Sequence, residues 1–346
     1  MSLAPLLHRI RKRVSMARDL AKAARETVAV AEAETGLRTM AAFLPGQLDR
    51  VKGVQFQTTH QQELDRITAT PFHHAATMAY RLRDCLLIGG TLYSSGGGHQ
   101  MLRDRPPLAA VIDHEIDQAA FVGTPVSDVY FGHYLVDDSA TALLARDFAP
   151  IYRPFSYRHA NWNHPLAYRQ MMGIDWKTTG NARIKDAWVF RDVGMTQNRR
   201  KRLDALRERL QARPSARSGH GVFLIRGETG SQPRLLRNEA VIAEALAGRG
   251  FEIVDPAKET ADDIVRKLSG ARIAIGVEGS SLGHALLTLA DQGALLTIQP
   301  PYRFNNVWKD FTDLLGMRYG FVVANGDQDG FDIGLDDILR TVDLVA

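Results

Sequence analysis

The chain is predicted to be an α/β protein, with a doubly wound parallel sheet in its C-terminal half. Three observations predict this. From Gly221 onward, short apolar runs alternate with helical patterns on short loops. The turn Gly276-Val277-Glu278-Gly279-Ser280-Ser281-Leu282-Gly283-His284 joins an apolar run to a helical one, where free backbone N–H groups would favour a phosphate. The length of 346 residues, 45% hydrophobic and 24% charged, suits two globular domains that each bury a core.

The chain starts with a concentration of charge. Residues 1–26 hold seven basic residues (Arg9, Arg11, Lys12, Arg13, Arg18, Lys22, Arg25) against Asp19 and Glu26, a local +5 in a chain of net +4. The remainder is close to neutral, so nucleic acid is not an expected partner. Leu3, Leu6, Leu7, Ile10 and Val14 recur at helical spacing, giving a basic amphipathic helix. Such a helix either lies on an anionic membrane surface or packs on its own domain or on a second subunit. The chain has no run of 18 apolar residues and no apolar signal-type core, so a cytoplasmic protein is expected, with contact at the inner membrane face through residues 1–26. The single cysteine, in Cys85-Leu86-Leu87-Ile88, excludes an internal disulfide and reads as a buried thiol.

Strands are predicted over 85–90 and 91–95, ending in Ser94-Ser95-Gly96-Gly97-Gly98. No Gly-Lys-Ser/Thr follows these glycines, so they read as a flexible turn, with 101–104 continuing a hairpin. A strand over 119–122, a helix from His133 to Asp147 and a strand over 187–190 come next. The basic stretch 196–212 reads as a solvated linker helix, and Pro214-Ser215-Ala216-Arg217-Ser218-Gly219 breaks it. The domains read as an N-terminal helix over 1–35, a domain over 36–213 that includes the linker helix, and a domain over 214–346.

In that last domain, strands are predicted over 222–225, 252–254, 272–277, 294–298 and 319–323. Helices are predicted over 238–247, 261–268, 281–289, 307–315 and 335–344, with Gly248 and Gly250 ending the first. Ligands of such sheets bind outside the carboxyl ends of the strands, where Arg226 and Glu278 both fall. Arg226 and Arg234 suit bidentate phosphate binding, and Glu278 suits ribose hydroxyls. Arg237 and Glu239 can equally cap a helix, and His284 can be a core histidine. The one Asp-x-Asp, Asp327-Gln328-Asp329, lies in a Gly-rich polar turn. Neither His73-His74 nor His159-Ala160-Asn161-Trp162-Asn163-His164 offers a clear metal-ligand set; the latter can line a sugar-binding surface.

The ordered series Leu224-Ile225-Arg226, Arg234-Leu235-Leu236-Arg237-Asn238-Glu239, Gly250-Phe251, Gly276 to His284 and Ile298-Gln299-Pro300 resembles glycosyltransferase family 61 across most of 221–323. That family's usual turn is Gly-x-His-Gly-Ala-x-Leu-x-Asn; here Glu278 replaces the His and His284 the Asn. The family's His-aromatic-x-x-acid motif is matched by His133-Tyr134-Leu135-Val136-Asp137. The spacing of four puts His133 and Asp137 on one helical face, where the acid can hold the histidine as a base or act as base itself.

The resemblance implies a GT-B fold, two Rossmann-like domains with the active site in the cleft between them. It implies a metal-independent, inverting transferase of hexosyl or pentosyl groups, acting in bacterial surface polysaccharide (capsule) biosynthesis. No cofactor is implied: a UDP-linked nucleotide sugar is the substrate, and a glycan or glycolipid hydroxyl the acceptor. Its donor site would comprise Arg226, Arg234, Asn238, Glu278, Gly279, Ser280, Ser281 and His284, with His133 and Asp137 catalytic. The alternatives are a sugar-nucleotide epimerase on the same scaffold, and a non-catalytic nucleotide- or polyanion-binding protein using the basic segments.

Overall fold

The computed structural model describes residues 2–14, 19–94, 96–213, 221–228 and 234–345, in two compact units. The first comprises Met1–Glu34 and His74–Leu203, the second Thr35–His73 and Asp204–Ala346. The predicted break at 214–219 lies outside the described residues, as do Arg18 and Ser95.

The first unit opens with helix α1 (Ala4–Arg13) and is built on eight strands. These are β1 (Glu26–Ala31), β2 (Thr77–Ile88), β3 (Thr91–Ser94), β4 (Gly97–Gln100), β5 (His114–Phe121), β6 (Ile151–Pro154), β7 (Lys177–Thr179) and β8 (Ala182–Arg191). Their order is β4-β3-β2-β8-β5-β6-β7, with β1 also on β2. The pairs β8–β5, β5–β6 and β6–β7 are parallel; β1, β3 and β8 run antiparallel to β2. The sheet is therefore mixed, and only its β8-β5-β6-β7 part has the parallel pairing expected of a Rossmann-like domain. The local cause is Gly89-Gly90: both sit at positive φ (52° and 73°) and form a two-residue turn, which can join only antiparallel strands. The glycine stretch 96–98 likewise turns the chain into β4, and 101–104 lies beyond the hairpin as a loop. Cys85 is buried in β2, and burial pushes its thiol up to about 12.

The predicted helix from His133 is composite: α-helical over Phe131–His133, a wide π turn over Tyr134–Asp138, then α-helical over Ser139–Ala145. The basic stretch forms α2 (Gln197–Gln211), but not as a solvated linker. Leu203, Leu206 and Leu210 are fully buried, and Arg199 and Arg207 are buried with them. Their guanidinium groups meet internal carbonyls and carboxylates, which offsets the cost of taking the charge out of water.

The second unit carries the five-stranded sheet: β9 (Gly221–Leu224), β10 (Phe251–Val254), β11 (Ile273–Val277), β12 (Ala294–Gln299) and β13 (Arg318–Val323), ordered β10-β9-β11-β12-β13. Every pairing is parallel, as predicted. Between and after the strands run α3 (Glu239–Ala247), α4 (Ala261–Leu268), α5 (Leu282–Leu286), α6 (Val307–Leu315) and α7 (Leu335–Val345). The core is Phe223, Ile275, Val277, Leu296, Ile298 and Val322 with the apolar faces of α3 and α7.

Residues 35–73 group with this sheet, whereas sequence patterning assigns them to the domain over 36–213. Ala42 bridges Gly320 and Val54 bridges Phe304. Fully buried Glu63 accepts from the Asn306 N–H at 2.6 Å, and Arg38 and Arg66 both pair with Asp310. These contacts link residues roughly 240–280 positions apart in the chain, beyond the reach of any local pattern.

Candidate functional site

In the second unit the predicted phosphate turn lies between β11 and α5. Gly279 is its pivot, with φ of +154°. A Cβ there would come within 2.7 Å of Arg234 Nη1 and would collide with the Arg226 guanidinium, so both arginines converge on this one residue. The Trp308 indole N–H holds the Gly279 carbonyl at 3.1 Å. Among the described residues, the backbone N–H groups of Gly279, Ser280 and Ser281 have no hydrogen-bond acceptor, and neither does the buried Ser281 hydroxyl. The helix that follows is only Leu282–Leu286, shorter than the predicted 281–289. The amides and arginines therefore carry the site more than a helix dipole does.

Arg226 follows β9; its N–H and that of Gly227 are taken by the Glu239 carboxylate at 2.8 and 2.9 Å. Glu239 thus fixes the loop that delivers the arginine. Arg234 donates to the Glu278 carbonyl at 2.8 Å, and its Nε lies 3.2 Å from Glu278 Oε2. Arg303 also reaches Glu278 Oε2, at 3.4 Å, while Asn305 donates to Oε1 at 2.8 Å. Glu278, buried and with both oxygens engaged, is the counter-ion of this cluster; the ribose contact read from sequence is not what its surroundings prepare.

Arg234 and Arg303 thus share one carboxylate, with the Arg226 guanidinium close by at Gly279. Burial, and after it the charge of Arg234, lowers Arg226 to about 10, with Arg303 adding and Glu278 opposing. A lowering of that size corresponds to a penalty on the order of 3 kcal/mol, which an anionic ligand would offset. Arg303 and Asn305 escaped the sequence reading. The signal that could have found them is position: both come just after a strand end, on the edge where Arg226 and Glu278 lie.

Two further predicted residues have contacts of their own. Asn238 both donates to Ile333 O at 2.7 Å and accepts from Ile333 N at 3.3 Å, tying α3 to the segment before α7. His284 is 2% exposed on α5, a histidine of the interior. Arg237 pairs at the surface with Asp332.

In the first unit, His133 Nδ1 and Asp137 Oδ2 stand 2.8 Å apart across the π turn, a geometry frequent at functional sites. The other carboxylate oxygen of Asp137 accepts from Arg199 of α2, whose second amino group binds the Asp192 carbonyl. Burial favours a neutral Asp137, but the charges of Arg199 and His133 outweigh it and hold the carboxyl below its ordinary range. Asp138, next along, turns inward to Arg153 at 2.9 Å. Beside this pair the His159 ring stacks on Trp162 at 4.1 Å, and Tyr134 meets both edge-on. Burial and then Arg153 lower His159 to about 3, so it stays neutral.

The family model described as Glycosyltransferase 61 matches residues 131–295, a span that includes His133, Asp137 and the Gly279 turn. No curated protein matches the chain.

Proposed function

On the premise that the chain belongs to glycosyltransferase family 61 through residues 131–295, we propose that it transfers a sugar, with inversion, from a nucleoside-diphosphate donor to a hydroxyl of a glycan or glycolipid. The observation that carries this reading is the convergence of Arg226 and Arg234 on Gly279, beside three unengaged amides. Such a pocket matches a diphosphate in charge and in donor number.

As the glycosidic bond breaks, negative charge grows on the departing diphosphate. Arg226, Arg234 and Arg303 with the amides of Gly279, Ser280 and Ser281 would stabilise that charge more than the ground state, which accelerates transfer. On this reading the arginines supply the charge a divalent cation would otherwise supply. The base would be His133, taking the acceptor proton at Nε2 while Asp137 holds Nδ1. Asp137 is itself a weak base, because Arg199 keeps it ionised. The acceptor oxygen forms its bond to the anomeric carbon from the face opposite the departing diphosphate, hence inversion. The stacked, half-buried His159–Trp162 pair is a ring surface of the kind sugars pack on. A UDP-linked donor, a GT-B arrangement and a place in bacterial surface polysaccharide synthesis at the inner membrane face complete the proposal.

The test is a thermal-shift titration with nucleoside diphosphates. Binding to the folded state should raise Tm, and Arg226→Ala should weaken that binding about tenfold or more. Because Arg226 sits among like charges, its removal should not lower the Tm of the unliganded protein. Undiminished binding by the variant would place the diphosphate elsewhere. Conversion of a nucleotide sugar without any acceptor would replace transfer by epimerisation.

A further inference from the structure

Helix α1 is mounted the wrong way round for a helix of a globular domain. At 100° per residue Leu3, Leu7, Ile10 and Val14 fall within about 60° of one another, forming a single stripe. Such a stripe ordinarily faces the core, yet these four side chains are 50%, 51%, 51% and 57% exposed. The opposite, polar face is the one that touches the protein. The His8 ring lies against Gly98 and meets Tyr93 edge-on at 5.4 Å, Arg9 donates to the Pro106 carbonyl, and Pro5 is buried. His8, Arg9 and Lys12 form, with Tyr93, Gln100 and Arg105, part of the lining of a cavity of about 610 Å³ under the helix.

The outward stripe is extended and framed. Ser2 pairs with Ala110 through two backbone hydrogen bonds, which brings the neighbouring Leu108 and Val111, 50% and 61% exposed, to the start of the helix. Arg11 and Arg13 fall on either side of the stripe, and both are exposed. No helix of the described residues is long and apolar enough to cross a membrane. An apolar stripe bordered by guanidinium groups instead suits a helix lying in a lipid interface. Its apolar side chains reach the acyl boundary and its flanking cations reach the headgroups.

We propose that α1, with Leu108 and Val111, docks the first unit on an anionic lipid surface. The positive flanks select anionic over zwitterionic lipid, and the stripe supplies the apolar contact. Attraction of this kind is screened by salt, whereas the apolar part is not. The inference is independent of the transfer reading, since it uses neither the arginine cluster nor His133.

The test is co-sedimentation of the full chain with vesicles of phosphatidylglycerol and phosphatidylcholine, compared with vesicles of phosphatidylcholine alone. The protein should bind the anionic vesicles. Leu7→Asp combined with Ile10→Asp should weaken that binding about 100-fold, since each change both removes apolar contact and adds a like charge. Arg11→Glu with Arg13→Glu should abolish the preference for anionic lipid. All four positions are exposed, so both variants should keep the wild-type Tm, which separates lost docking from lost folding. Equal binding by Leu7→Asp/Ile10→Asp, or no binding by the wild type at about 0.1 M salt, overturns the proposal. A wild-type dimer that this variant converts to monomer would also overturn it, by making the stripe a subunit interface.

Discussion

Asp137 is held between a guanidinium and an imidazole, and that decides what it can do. Arg199 is 2% exposed, and its guanidinium pairs there with the Asp137 carboxylate. Removing one partner of a buried ion pair is strongly destabilising, and Asp137→Asn should cost about 3 kcal/mol in urea unfolding at pH 7. The pH dependence follows from the lowered carboxyl. Its stabilising effect is complete above the ordinary carboxylate range and is lost as pH falls through the lower folded value, so the gap between wild type and variant should close in strong acid. A gap that persists unchanged there would mean the carboxylate is not what stabilises the site. The same variant should reduce kcat about 100-fold, through loss of the anion that orients His133. The two halves of this pair were legible in unlike ways. The four-residue spacing of His133 and Asp137 is written in the chain, whereas Arg199 lies 62 residues from Asp137 in a stretch that reads as solvated charge.

At the scale of elements, α2 shows why that stretch was misread. A helix with many arginines and few apolar residues looks like one that faces water, but Leu203, Leu206 and Leu210 recur at helical spacing and are fully buried. The arginines between them serve interior groups. Arg207 donates to the Leu286 and Leu289 carbonyls at 2.7 and 2.8 Å, satisfying the end of the short helix α5 that carries the phosphate turn. Arg207→Ala would remove the side-chain donor of the Leu286 carbonyl and leave Leu289 with the Gln211 amide alone, and should destabilise the protein by about 2 kcal/mol, measured by chemical denaturation. Nucleoside-diphosphate affinity should fall with it, because the turn at Gly279 leans on α5. If stability falls while affinity is untouched, the turn is held independently of that helix end. The five parallel strands and four of the five helices from Gly221 onward match their predicted bounds to within a residue, while α5 is shorter than predicted. Their signals are local: apolar runs of strand length, glycine stops and a small-residue turn.

For the whole molecule, the second unit is assembled from two separated stretches of chain. Residues 35–73 contribute the buried Glu63 and the arginines that meet Asp310, while Lys309, with its side chain fully buried, pairs with Asp313 at 2.5 Å and reaches Thr39 at 3.2 Å. A fragment comprising 204–346 alone would take the two arginines from Asp310 and Glu63 from the Asn306 N–H, and would expose the sheet edge at Gly320. It should lack the cooperative thermal transition expected of the full chain, both followed by circular dichroism. A sharp transition in the fragment would mean that 35–73 is an ornament on the sheet.

The parallel sheet of the second unit, the glycine turn at its edge and the His133–Asp137 spacing were determined by the sequence alone. Each rests on residues within one or two elements, where backbone periodicity and steric preference act directly. Tertiary structure alone decided the rest: that Arg303 joins Arg226 and Arg234, that Glu278 serves them as counter-ion, that Arg199 holds Asp137, and that α1 turns its leucines outward. These are matters of burial and long-range charge. They depend on which distant segments meet, and a pattern read along the chain does not contain that.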